Sequence, residues 1–294
     1  MVGENKKTPY LLLIPWMIGL LVFKLYPFFH SFYLSLFKRV GLRGQTFVGL
    51  DNYKHIFNAS TYEGELFINA LKVTSYYVFI TVPLILIVSL LVAYILSKKI
   101  KGIGFFRTSF YIPTLLGANV AVILLWRELF SDHGLLNSFL SMFNVPSQNF
   151  LGTGAGAMAA IISLRVWQFG STMLIFLNAL KNIPQSLYEA AYMDGCGKVR
   201  TFFKVTIPML TPVILFNGVM RLVESFQVFN GPALITQGDP LNKTRMVNLL
   251  IYEVAFTHRN LNLGAAMSWV LFVILMVFTV LIFRSSRYWV HYEG

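Results

Sequence analysis

Acidic residues are scarce in this chain: 12 Asp and Glu stand against 24 Lys and Arg in 294 residues. Charged residues of both signs make up only 12%, about half the share of an ordinary soluble protein. Cys196 is the one cysteine, so no disulfide can form within the chain. The five histidines are scattered, without paired spacing or a carboxylate partner, and offer no metal site. No GxxxxGK[ST] stretch occurs, so the chain cannot cradle a nucleotide phosphate in a loop of that kind. Gly152-Thr-Gly154-Ala-Gly156 is glycine-rich, but neither a preceding strand nor a following acidic ribose ligand accompanies it, and it reads as a flexible helix start. No Ser/His/Asp or Cys/His constellation can be assembled either.

What remains is apolar. Hydrophobic residues reach 56%, above the 45 to 50% or so of soluble domains. The surplus is gathered in long runs, the mark of an integral membrane protein whose length is spent on spans of about 20 residues. We expect an all-α, polytopic bundle with six spans at about 10–37, 73–96, 108–126, 155–180, 207–229 and 263–283, forming a single transmembrane domain over 1–294. The first run follows Lys6 and Lys7 as a signal peptide would, but no small-residue cleavage site follows it, so it reads as a retained span. Lys24 lies about 21 Å along a helix from Tyr10, close enough to the far surface to snorkel. Pro27 suggests an interruption there, and Pro83 a kink in the second span. The basic residues form no stripe along one element, which argues against nucleic acid.

Between the fourth and fifth spans lies a polar island over 181–206. Its centre reads Glu189-Ala-Ala-Tyr-Met-Asp194-Gly195 and continues through Phe202 to Pro208 and Pro212. Asn182 can cap a short helix opened by Pro184, Gly195 can end it after Asp194, and a second helix can run from Lys198 until Pro208 starts the next segment. Two short helices and a turn make a docking knob.

This island closely resembles the EAA loop of the inner-membrane permease subunits of binding-protein-dependent ABC importers, with Cys196 where the family usually has Ala. Phe47-Val-Gly-Leu-Asp-Asn-Tyr53, Gly134-Leu-Leu-Asn137 and the segment from Ser225 through Thr244 are similar to stretches of the carbohydrate branch, the maltose and glycerol-phosphate permeases, although Asp239 replaces a usual Gly. The resemblance covers nearly the whole chain. It implies a second homologous permease subunit, two ATPase subunits that would bind ATP and Mg, and an extracytoplasmic solute-binding protein, with no cofactor in this chain. It further implies that Glu189 and Asp194 orient the knob in an ATPase groove, that Ala190 and Ala191 permit close approach, and that Gly195 makes the turn.

Orientation comes from the basic residues. Twelve of the 24 Lys and Arg fall on the side that holds the termini and the knob, nine on the other side in longer loops, and Lys24, Arg165 and Arg221 within spans. That bias places both termini and the knob in the cytoplasm of a bacterial inner membrane.

One polar stripe enters the apolar frame. Asn217, Arg221 and Glu224 recur at i, i+4 and i+7 on one face of the fifth span, and charge at mid-bilayer must turn inward. Arg165 of the fourth span reaches a similar depth and can pair with Glu224. Two readings stay open: a structural ion pair fastening the two spans, or a wall of the solute path with Trp167, Phe226, Gln227, Phe229 and Asn230 nearby. Aromatic faces and amides of that kind suit sugars. An intramembrane enzyme would need a second catalytic group beside Glu224, and Arg165 stays protonated. A channel or proton-coupled carrier would want more ionisable groups along its path.

Overall fold

The computed structural model describes residues 8–40, 44–98, 101–117 and 119–291. Lys6, Lys7, Arg43 and Lys99, which enter the charge count, lie outside them. Helices dominate. In chain order they are α1 (Tyr10–Ser35), α2 (Asp51–Ile56), α3 (Tyr62–Leu96), α4 (Ile103–Leu116), α5 (Val120–Leu129), α6 (Leu135–Ser141), α7 (Gly154–Trp167), α8 (Gly170–Asn182), α9 (Gln185–Met193), α10 (Lys198–Phe226), α11 (Val247–Thr257) and α12 (Leu261–Trp289). One antiparallel hairpin, β1 (Phe37–Val40) with β2 (Gly44–Phe47), is the described sheet. Four helices are each long and apolar enough to cross a membrane, and six crossings result when α4 with α5 and α7 with α8 each count as one.

Several expected boundaries move. The second span starts at Tyr62, eleven residues before the charge-free run, because Glu63 and Glu65 in its first turn suit a helix N-terminus. Its 35 residues extend about 52 Å, longer than the hydrocarbon core of about 30 Å. Pro83 sits inside it without ending it. The third and fourth spans are not continuous helices. The third breaks between Leu116 and Val120, where the Asn119 side chain accepts from the Ala121 N–H and caps α5. The fourth bends by 43° between Trp167 and Gly170. Nor does Pro208 start a new segment: α10 runs from Lys198 to Phe226 without interruption.

One local device explains why neither Pro27 nor Pro208 breaks its helix. A π turn, Leu21–Leu25, comes just before Tyr26-Pro27, and a second, Phe202–Thr206, just before Ile207-Pro208. In each, the residue before proline reaches five residues back, Tyr26 N–H to Leu21 O and Ile207 N–H to Phe202 O. Proline offers no N–H and crowds the carbonyl four residues earlier. A wider turn absorbs both.

Two compact units divide the chain. In the first, residues 1–67 and 251–272, the start of α12 packs on the end of α1. Trp269 lies among Phe28, Phe32 and Phe272 and donates to Ser31 Oγ, while Asn262 donates to the Leu34 carbonyl. The Phe47 to Tyr53 stretch anchors the hairpin there: buried Asn52 donates to the carbonyls of Ser35 and Phe37, both at 2.8 Å, and the Tyr53 hydroxyl meets Ser35 Oγ at 2.7 Å. A Cβ at Gly264 would sit 2.7 Å from that of Ala255, so the small start of α12 permits a close approach to α11.

The second unit, residues 68–250 and 273–294, holds the broken spans. Its core packs Ile85, Ala93 and Leu96 of α3 against Phe169 and Met173, Phe176, Leu177 and Leu180 of α8 and Leu210 of α10. Asn137 organises one loop: it donates to the carbonyls of Ser131, Asp132 and Gln148 and accepts from the Gln148 N–H. The glycine-rich start of α7 is capped, Thr153 Oγ1 accepting from the Gly156 N–H.

Candidate functional site: a polar cavity at two helix breaks

The breaks of the third and fourth spans face each other, and Gln168 joins them. Its side chain donates to the Gly117 carbonyl at 3.2 Å, while its own carbonyl accepts from the Thr114 hydroxyl at 3.2 Å. The approach is close because position 117 has no side chain; a Cβ there would come within 2.5 Å of the Gln168 amide. Likewise a Cβ at Gly170, the first residue of α8, would come within 2.5 Å of the Phe110 carbonyl. Helix breaks at depth expose backbone groups that need polar neighbours, and here side chains supply them.

Beside this junction lies a cavity of about 400 Å³ lined by Tyr77, Thr114, Gly117, Ile123, Ile161, Leu164, Arg165, Gln168, Arg221, Glu224 and residues 227–231. Its charged wall is a three-residue network. Arg165 Nη2 donates to Glu224 Oε2 at 2.5 Å, and Arg221 Nη1 donates to the same oxygen at 2.8 Å. Arg221 also donates through Nε to Thr172 Oγ1 at 2.7 Å and through Nη2 to Ser171 Oγ at 2.5 Å. Arg165 Nη1 adds a bond to Gln168 Oε1 at 3.3 Å. Both halves of the broken fourth span are thereby tied to α10.

Of the nine residues expected along a solute path, Arg165, Arg221, Glu224, Gln227, Phe229 and Asn230 line the cavity. The other three do not. Asn217 is buried and donates to the Val213 carbonyl of its own helix. Phe226 is buried against Phe278. Trp167 packs at a tilt against Trp126, ring centroids 5.2 Å apart. Reading the sequence missed Tyr77, Thr114, Gln168, Ser171 and Thr172. For Gln168 a signal existed, an amide two residues before a glycine inside an apolar run, which marks a break better than a span interior.

The knob is a second feature. Its helix α9 opens at Pro184, which is the cap; Asn182 instead ends α8. It closes in a Schellman arrangement: Cys196 N–H donates to the Ala191 carbonyl at 2.9 Å and Gly195 N–H to the Tyr192 carbonyl at 3.0 Å, with Gly195 at φ +71°. Ala191 is buried, whereas Glu189, Ala190 and Asp194 are exposed, and Tyr192 and Met193 are 79% and 84% exposed. The Tyr188 hydroxyl meets Thr206 Oγ1 at 3.2 Å, fixing α9 to the π turn of α10.

Apolar spans broken at depth around a polar cavity, with an exposed polar helix pair projecting between two spans, define a solute-transporting permease. The chain belongs to the family of binding-protein-dependent transport system inner membrane components, whose model matches residues 67–290. It is a multi-pass membrane subunit and not an enzyme. It is 39% identical to the probable ABC transporter permease protein YesP of Bacillus subtilis (strain 168), over all of this chain and 94% of that one. It is 32% identical to the trehalose/maltose transport system permease protein MalF of Thermococcus litoralis, covering 97% and 95% of the two chains. In fold it is similar to a chain from a bacterial ABC transporter involved in the import of the acidic polysaccharide alginate, with a TM-score of 0.80 at 20% identity over 97% of this chain and 96% of that chain.

Proposed function

We propose that this permease carries a sugar or a related polyol or oligosaccharide through the cavity beside Glu224, and that ATP hydrolysis in partner chains drives it through the knob. The solute class is supported by the named substrates of relatives such as the trehalose/maltose permease. It is supported also by the lining, where the Gln227 and Asn230 amides, the Phe229 ring and the carboxylate of Glu224 offer hydrogen bonds and an apolar face. Glu224 takes both guanidinium bonds on Oε2, which leaves Oε1 to accept from a solute hydroxyl.

The observation that carries the coupling role is the closed turn after α9. A helix fixed at one end by Tyr188 and at the other by a Schellman turn moves as a rigid lever, and it offers Glu189, Tyr192 and Met193 to a partner. In this reading two ATPase subunits with bound ATP and Mg grip the knobs of this chain and of a second homologous permease. An extracytoplasmic binding protein delivers the solute, and rocking of the bundles opens the cavity to each side in turn. The knob and both termini then face the bacterial cytoplasm.

Gentle solubilisation followed by mass spectrometry of what co-purifies tests this. An ATPase and a binding protein in the eluate are the expected result; their absence, with the chain intact and alone, sinks the assembly. One observation favours a structural part for some of the stripe: Arg221 spends three of its groups on Thr172, Ser171 and Glu224, and Asn217 bonds its own helix. We therefore assign Arg221 and Asn217 to fastening, and Glu224, Gln227 and Asn230 to the path.

A further inference from the structure

A second cavity, of about 650 Å³, lies at the root of the knob and shares no lining residue with the one beside Glu224. Its walls come from three places: Tyr94 and Lys98 at the end of α3, Lys181 at the end of α8, and Tyr188, Glu189 and Tyr192 on one face of α9. Two ammonium groups against one carboxylate leave it a surplus of positive charge. Neither lysine forms an ion pair among the described residues. Lys98 is instead held with Nζ 4.8 Å from the Tyr94 ring centroid, a contact that leaves its charge in place. The pocket is therefore shaped for an anion.

Its level says which anion. Leu96 and Leu180 are buried apolar residues, and Lys98 and Lys181 follow them by two positions and by one. The pocket thus opens where two spans leave the hydrocarbon and phospholipid headgroups begin. Leading up to it, Ile87, Leu91 and Ile95 are exposed at i, i+4 and i+8 along one face of α3, and Lys98 follows on the next turn, its N–H donating to the Ile95 carbonyl at 3.3 Å. From Ile87 to Ile95 the strip is about 12 Å long, most of one leaflet of a hydrocarbon core about 30 Å thick. A soluble anion has no use for such a strip. A phospholipid needs an anchor for its phosphate and a track for its acyl chain, and basic pockets between span ends collect anionic lipid. We propose that this pocket binds the headgroup of an anionic phospholipid, its phosphate between Lys98 and Lys181 and an acyl chain along Ile87, Leu91 and Ile95. The Tyr188 hydroxyl is already engaged with Thr206, so those of Tyr94 and Tyr192 are left for the headgroup's own oxygens. Because the walls join two span ends to α9, an occupied pocket braces the knob against the bundle. The site goes beyond the importer reading and stands whichever solute is carried.

The test is native mass spectrometry of the permease, purified with the subunits that accompany it and titrated with phosphatidylglycerol or phosphatidylcholine. We expect the first phosphatidylglycerol to bind at least about tenfold more weakly to Lys98→Gln/Lys181→Gln than to the parent, with phosphatidylcholine binding unchanged. Lys98→Arg/Lys181→Arg keeps both charges and should bind like the parent. Lys198→Gln/Arg200→Gln removes as much charge from the helix that follows the knob, and it too should bind like the parent. Equal affinity in the parent and Lys98→Gln/Lys181→Gln overturns the site. So does an equal loss in the arginine pair, which points to a disturbed pocket, or in the Lys198/Arg200 pair, which points to unspecific attraction. A parent complex that retains no phosphatidylglycerol would mean that a partner subunit fills the pocket, and would also overturn it. The soluble source is tested separately: millimolar inorganic phosphate should leave the thermal midpoints of the parent and of Lys98→Gln/Lys181→Gln where they are. A rise in the parent alone would assign the pocket to a free phosphate and remove the lipid.

Discussion

Arg165 and Arg221 donate to one and the same oxygen, Glu224 Oε2, from two different spans. A single carboxylate therefore compensates two guanidiniums, and the three residues differ in how far they depend on the bond. Side-chain exposure is 11% for Arg221, 26% for Arg165 and 41% for Glu224. Arg221→Ala leaves Ser171 and Thr172 without their guanidinium partner at the least exposed of the three positions, whereas Glu224 keeps Arg165 and stays within reach of water. Arg165→Ala should cost less. The expected order of membrane yield and thermal midpoint is parent, then Arg165→Ala, then Arg221→Ala; equal midpoints for the two variants would remove Arg221 from its fastening role.

The paired helix breaks make a second ordering. A Cβ at Gly170 would meet the backbone carbonyl of Phe110, whereas one at Gly117 would meet the end of the Gln168 side chain. Backbone cannot swing aside, so Gly170→Ala should destabilise by roughly 1–3 kcal/mol. Gly117→Ala can push the amide away, at the loss of its bonds to Gly117 and Arg165. Differential scanning fluorimetry of the purified variants should therefore find Gly170→Ala the less stable, and the reverse order would mean that Gln168 is pinned more tightly than the α4–α8 contact.

The long apolar helices and the knob were legible in the sequence because both are written in local pattern: apolar runs, and an Asp194-Gly195 stop after Glu189-Ala-Ala. The stripe of Asn217, Arg221 and Glu224 was legible too, but not the division of labour within it, since periodicity places side chains on a face without saying what lies opposite. Asn217 turned back to its own Val213, and Phe226 found Phe278, a partner 52 positions away along the chain. The breaks in the third and fourth spans escaped because hydropathy averages over Gly117 and Gln168. Motifs gained meaning only in three dimensions: Asn52 and Asn137 prove to be loop organisers whose side chains gather backbone carbonyls.

The solute path can be separated from the fastening by two amide deletions. Gln227 lines the cavity and is exposed, while Asn217 is buried away from it. Gln227→Ala should shift the relative uptake of competing sugars at normal expression, since losing a hydrogen bond to solute changes selectivity by about 1 kcal/mol or roughly fivefold. Asn217→Ala should leave that ratio alone. Competition uptake assays in vesicles decide the matter: a changed ratio in Asn217→Ala, or none in Gln227→Ala, would relocate the path.

Orientation is open to direct labelling. Leu50 is 63% exposed and Leu241 82%, both in segments that the charge bias assigns to the outside, and Lys198 begins the helix that follows the knob. With Cys196 replaced by Ala, an impermeant maleimide should reach Leu50→Cys and Leu241→Cys from outside intact cells, and Lys198→Cys only after the cytoplasm is opened. Labelling of Lys198→Cys from outside would invert the topology and with it the coupling role.

The knob offers the sharpest test of coupling, because its turn and its contact surface can be altered separately. At φ +71° Gly195 occupies the left-handed region, yet no atom lies within 4 Å of where its Cβ would be. Gly195→Ala therefore pays only the conformational cost, about 1–2 kcal/mol, and should transport at a reduced rate. Gly195→Pro fixes φ near −65° and removes the N–H that bonds Tyr192, so the turn cannot close and uptake should be abolished. Glu189→Lys leaves the turn intact; its exposed carboxylate makes no ion pair among the described residues, so reversal should not disturb the fold. If Glu189 meets an ATPase groove, the variant reaches the membrane at parental level while solute-stimulated ATP hydrolysis falls at least about tenfold, because charge reversal at a contact costs more than its loss. Parental hydrolysis and uptake in Glu189→Lys together with Gly195→Pro would show that α9 is an ordinary loop helix, and that the drive reaches the bundle by another route.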